Sequence, residues 1–151
     1  MFKKILVPLD GSKLAEFIIP YARMIGDACE AAQIIFARVI EPIVIPAVSP
    51  EYFSADVYTQ MEAQAKQEAE DYLKLIINTI KFDRATMDTK ILYGRAADSL
   101  VDYAHNNKVD LIIIATHGRS GLSRWIRGSV ANRVLQSAKI PILIIPPVEK
   151  K

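Results

Sequence analysis

The sequence predicts an α/β fold: a doubly wound, five-stranded parallel sheet with helices on both faces. Three observations predict it. Short apolar runs such as Ile5–Leu9, Gln33–Ile40 and Asp110–Ala115 are nearly continuous rather than alternating, the pattern of strands covered on both faces. Longer segments between them carry apolar residues at helical spacing. The two kinds of segment alternate along the whole chain, as in successive βαβ units. With 151 residues, one domain spanning 1–151 is expected, large enough for a sizeable core. There is no internal repeat.

The elements follow in order. Ile5–Leu9 reads as the first strand, and Asp10-Gly11-Ser12 as a turn in which Ser12 caps the next helix. That helix carries Ala15, Ile18, Ile19, Ala22, Ile25 and Cys29 on one face. Pro20 lies inside it and removes a backbone donor, so a kink or early break is expected there. Gln33–Ile40 is the second strand. Glu41–Phe53 contains Pro42, Pro46 and Pro50 and reads as a loop. It leaves the ligand end of the sheet carrying Tyr52 and Phe53, and is expected over or beside the ligand. Tyr52–Ile80 is a long helix with a stripe of Val57, Met61, Ala65, Ala69, Leu73, Ile76 and Ile80. Thr86–Leu92 alternates polar and less polar residues, as an edge strand does. A helix with Ala97, Leu100, Val101 and Ala104 follows, and Asn106-Asn107-Lys108 ends it. Asp110–Ala115 is the fourth strand, and Ile142–Ile145 the fifth.

Composition excludes several classes. The net charge of +2 is too small for general nucleic-acid binding. The single cysteine, Cys29, rules out an internal disulfide or a zinc set built on cysteines. Only five apolar residues separate Lys4 from Asp10, too few for a signal peptide. Ile34–Val48 is apolar but interrupted by Arg38, Glu41 and two prolines, so no membrane span is expected. The cytoplasm is the expected compartment.

The chemistry concentrates after the fourth strand. Thr116-His117-Gly118-Arg119-Ser120-Gly121 breaks the strand, and Gly128-Ser129 opens a helix with Val130, Ala131, Val134, Leu135 and Ala138 on one face. Strand, glycine-bearing loop and helix start together make a phosphate cradle. Glycines let backbone N–H groups approach an anion, and a helix N-terminus offers unpaired donors and a positive dipole end. No Asp or Glu occurs from Leu111 to Val148, whereas Arg119, Arg124, Arg127, Arg133 and Lys139 all fall there. A local basic segment in a nearly neutral chain favours a small anionic ligand over a polyanion.

These residues resemble the nucleotide loop of the universal stress protein family, whose ATP-binding members carry G-x2-G-x9-G-[ST]. Here Ala115 stands at the first glycine, while Gly118, Gly128 and Ser129 match in place. Ile5–Ser12 resembles the family's first strand and its aspartate, and Pro141–Pro146 its last strand. The resemblance covers essentially the whole chain. It implies strand order 3-2-1-4-5 and a ligand at the switch point between strands one and four. It further implies that the adenine lies on main-chain groups of Pro8, Leu9 and Asp10 and of Val39. Asp10 would take the ribose hydroxyls. Gly118, Gly128 and Ser129 match the family's phosphate contacts, and Ala115, His117, Arg119 and Val130 beside them complete the candidate nucleotide-binding set, although Arg119 is not family-defining. The expected cofactor is ATP, with Mg²⁺ or Mn²⁺ held by phosphates and water, since no carboxylate cage is readable. A homodimer through Ile142–Ile145 is the expected assembly.

No catalytic set is readable: there is no Ser-His-Asp arrangement, and no Walker lysine follows Gly128. Positioning and electrostatics alone still leave room for a slow ATPase. A phospho-receiver domain needs an aspartate where this chain has Ile91-Leu92-Tyr93. A dinucleotide-binding domain needs GxGxxG where it has Asp10-Gly11-Ser12. The remaining alternative is an interaction protein of the same family that uses no nucleotide.

Overall fold

The computed structural model describes residues 1–43, 55–116 and 128–146. In chain order it contains β1 (Lys4–Pro8), α1 (Lys13–Glu16), α2 (Ile19–Ala28), β2 (Gln33–Ile40), α3 (Ala55–Thr79), β3 (Thr86–Tyr93), α4 (Ala96–Asn106), β4 (Leu111–Ala115), α5 (Ser129–Ser137) and β5 (Ile142–Ile145). The strands form one sheet in the order β3-β2-β1-β4-β5, and every pairing is parallel. The chain winds outward from β1 to β3, then crosses back to β4 on the other side. Strand order therefore reverses between β1 and β4.

Two apolar layers cover the sheet. Ile5, Val7, Ile34, Phe36, Leu111 and Ile113 pack on one face with α1, α2 and α3 residues such as Ala15, Ile18, Ala22 and Leu73. Leu6, Ile35, Ala37, Ile112 and Ile114 pack on the other with Ala97, Leu100, Ala104, Ala131 and Val134 of α4 and α5. Successive strand residues point to opposite faces, so burial on both faces requires a continuous apolar run. Phe36, Ile5, Leu6, Ile112 and Ile113 are among the large side chains fully removed from solvent.

Local chemistry sets the breaks. Ser12 caps α1, its hydroxyl accepting from the Ala15 N–H at 3.0 Å. The helix then breaks as Pro20 dictates. α1 ends at Glu16, and Pro20 sits in the first turn of α2, where a missing N–H costs nothing. The first strand runs one residue earlier than expected, although the Leu9 N–H still reaches the Ala37 carbonyl at 2.8 Å. β3 is at the sheet edge, as its polar alternation predicts.

Two helical stripes differ from expectation. In α3, Ala69, Leu73 and Ile76 are buried, but Val57 and Met61 are exposed. The helix is 25 residues long, about 37 Å at 1.5 Å per residue, whereas β2 and β3 have 8 residues each and span about 26 Å. The sheet can cover only part of such a helix. In α5, Ala131 and Val134 are buried, while Leu135 is turned outward.

Candidate functional site

The site is built at the carboxyl ends of β1 and β4. After β1 the chain turns at Asp10-Gly11-Ser12. The Ser12 N–H donates to Asp10 Oδ1 at 2.8 Å, closing a side-chain-braced turn. Gly11 has φ +86°, a left-handed conformation that glycine adopts without strain. Because Ser12 caps the helix, Asp10 is not needed for that task. Its side chain is exposed, and one carboxylate oxygen remains beyond the bond to Ser12.

β4 ends at Ala115, which pairs with Ile145. The positive-φ residues other than glycine among those described are Glu30 and Lys108. Ala115 is therefore ordinary extended backbone, and its Cβ carries no strain. Thr116 continues the edge, its N–H donating to the Ile145 carbonyl at 3.1 Å.

Besides α1, which Ser12 caps, α4 and α5 bring their N-termini to this end of the sheet, and they differ. At α4 the N-cap residue Arg95 supplies no side-chain cap, but the Glu41 carboxylate accepts from the Ala96 N–H at 2.9 Å. That positive end is already taken. At α5 the N-cap residue is Gly128, extended at φ −124° and buried, and among the described residues no side chain caps the helix. Its first N–H groups are left for something else to satisfy.

A single cleft joins these features. Pro8, Leu9, Asp10, Val39, Ala115, Gly128, Ser129 and Val130 all line it. His117, Gly118 and Arg119, together with Arg124, Arg127, Tyr52 and Phe53, lie outside the described residues. The cleft also draws in Ala15, Ala37, Ala96, Leu100, Ile114 and Ala131, which carry no chemistry and were not singled out. The four alanines share one signal, small size on strands and in first helical turns, where a ligand must come close to backbone. Only Asp10 and Ser129 bring polar side chains to the described wall.

Charge around the site is more local than the basic segment suggests. Arg133 is spent on Asp98 of α4, with Nε–Oδ1 and Nη2–Oδ2 distances of 3.1 and 3.2 Å. It braces α5 against α4 and is not free to face an anion. Tyr72 of α3 sits nearby on the opposite sheet face. Burial pushes its phenol well above the ordinary value. The charges of Glu16 and Asp10 add to this, and Arg38 opposes it. The hydroxyl closes no hydrogen bond of good geometry, so Glu16 acts on it mainly through charge. Among the described residues, no cluster of His, Cys, Asp and Glu could hold a metal ion. No helix there is long and apolar enough to cross a membrane.

Residues 1–146 match the Universal stress protein family. The chain belongs to this family. The universal stress protein MJ0531 of Methanocaldococcus jannaschii is 29% identical over 153 aligned residues, covering 100% of this chain and 86% of the relative. Among solved structures, the MJ0577 protein of the same organism superposes with a TM-score of 0.78 at 24% identity, covering 99% of both chains. A universal stress protein family member from Arabidopsis thaliana, solved with AMP bound, superposes with a TM-score of 0.67 at 15% identity, covering 97% of this chain and 93% of the other. These structural likenesses establish the shared sheet order and layering.

Proposed function

We propose that this universal stress protein is a small cytoplasmic regulator that binds ATP across the switch point between β1 and β4. The observation that carries the reading is the uncapped N-terminus of α5 at Gly128, facing the Asp10 turn across one cleft. Glu41 already satisfies α4, so the triphosphate belongs at α5, where free N–H groups and the helix dipole favour negative charge. Ser129 and the Val130 amide sit at that first turn; Gly118, His117 and Arg119, outside the described residues, are assigned to the phosphates on the family motif alone. Pro8, Leu9 and Val39 offer main-chain groups and apolar surface to the adenine. Asp10 accepts from the ribose hydroxyls with the oxygen not used by Ser12.

Mg²⁺ or Mn²⁺ fits this site only as a phosphate-held ion, because the described wall supplies one carboxylate and no cage. Its contribution would be to neutralise the charge of the phosphates. The AMP held by the Arabidopsis relative supports an adenine nucleotide as the ligand class. Titration calorimetry with Mg²⁺ and up to millimolar ATP tests the reading. Binding is expected in the wild type, and Asp10→Ala should weaken it by about 1–3 kcal/mol, the value of a hydrogen bond to a charged group. A wild type that gives no heat with ATP would move this chain to the nucleotide-free, interaction-only reading.

A further inference from the structure

The neighbours of the Asp10 turn point to a role for Arg38. β2 alternates, so Val39 faces the cleft while Arg38 projects to the other side of the sheet. There Arg38 meets the turn from behind. A Cβ placed on Gly11 would stand 3.2 Å from Cζ, 3.2 Å from Nη1 and 3.3 Å from Nη2 of Arg38. Three nearly equal distances put that Cβ position over the flat face of the guanidinium, so the turn passes close above Arg38 because Gly11 has no side chain. The same guanidinium lies over the ring of Tyr72, with Cζ 5.3 Å from the ring centroid, within cation–π range. Arg38 is half-buried and makes no ion pair with a carboxylate among the described residues. Its flat cation is committed instead to a ring and to the backbone of a left-handed glycine. That glycine is the residue immediately after Asp10.

We propose that Arg38 is a positioning residue for ribose recognition. It holds Gly11 against its face and thereby fixes the Asp10-Gly11-Ser12 turn, so that the Asp10 oxygen not bonded to Ser12 is presented to the cleft. Arg38 does not touch the nucleotide. Tyr72 sets the height of the guanidinium, and Gly11 lets the turn lie on it. Neither a lysine, which has no planar face, nor any residue with a Cβ at position 11 would preserve this packing. The inference rests on the nucleotide reading above.

The test compares ATP with 2′,3′-dideoxy-ATP, which lacks the hydroxyls Asp10 would accept, by calorimetry on wild type, Arg38→Met and Tyr72→Leu. The wild type should prefer ATP by about tenfold or more, the equivalent of one charge-assisted hydrogen bond. Arg38→Met should lose that preference, with ATP falling to the affinity of the dideoxy analogue and the analogue itself unchanged. Tyr72→Leu should act in the same direction. Amide exchange supplies a readout without nucleotide: the Ser12 N–H, protected by Asp10 in the wild type, should exchange faster in Arg38→Met. Equal weakening of both nucleotides, an unchanged preference, or unchanged Ser12 exchange overturns the role of Arg38 and leaves nucleotide binding standing. A wild type that binds both nucleotides equally overturns the ribose contact itself. One that binds neither overturns the nucleotide reading and this inference together.

Discussion

Gly128 is a residue at which stability and binding are set against each other. Its φ of −124° is open to any amino acid, so the backbone does not require glycine. A side chain with an oxygen at this N-cap would accept from the next turn and stabilise α5 by a few tenths of a kcal/mol over glycine. The same oxygen would occupy the donors a phosphate needs. Gly128→Asp should therefore hold or slightly raise the thermal midpoint and lower ATP affinity by at least about tenfold, since a fixed carboxylate replaces and repels the ligand. Paired melting and calorimetry check both signs, and undiminished ATP affinity would remove α5 from the phosphate site. Sequence singled out Asp10, Gly128 and Ser129 as candidates, and the structure brings all three to one cleft; it also marked Pro20, where the helix does break. Glu41 was not legible as a cap, because its partner Ala96 is 55 residues away and nothing local records the contact. Ala15, Ala37, Ala96 and Ala131 of the cleft were missed because a small apolar residue reads as core wherever it falls.

Among the elements, four strands were legible from nearly continuous apolar runs, and β3 from its alternation, because burial on one or two faces writes directly into residue order. The long helix shows where that reading stops. A stripe reports that a face is apolar and says nothing about how far the partner surface extends. α3 carries its stripe from Val57 to Ile80, yet only the part around Ala69, Leu73 and Ile76 is buried. Leu73 is 1% exposed and Met61 is 39% exposed, which separates two substitutions of similar chemistry. Leu73→Ala should cost about 2–5 kcal/mol by leaving a cavity between α3 and the sheet, whereas Met61→Ala should cost under about 1 kcal/mol. Urea unfolding followed by circular dichroism measures both. Equal losses would show that the exposed half of α3 contributes to the core as much as the buried half. The Arg133–Asp98 pair follows the same logic at the other face. Counting charge along one segment could not show that its partner lies on a different helix, so the basic field around the loop is one residue weaker than the sequence suggests.

At the scale of the molecule, alternating elements predicted a parallel α/β sheet, and the family resemblance supplied the order that the structure has. The remaining question is what covers the sheet's edge at β5. Ile142 and Ile144 pack partly on the α4–α5 layer, and Leu143 and Ile145 partly on the opposite one. All four stay half-buried, so each keeps apolar surface toward solvent. Their outer backbone edge faces away from β4, and β5 carries no charged side chain to discourage pairing. A second copy related by a two-fold axis would meet this edge with the same strand reversed, covering both the side chains and the free N–H and C=O groups. We therefore expect a homodimer through β5. Ile144→Lys and Leu143→Lys, one on each face, should convert it to a monomer while retaining the helical circular dichroism signal, because a charge buried at a two-fold contact meets its own copy. Sedimentation equilibrium at micromolar concentration decides the matter: a monomeric wild type would leave β5 an open edge, and two lysine variants that keep the dimer mass would place the contact elsewhere.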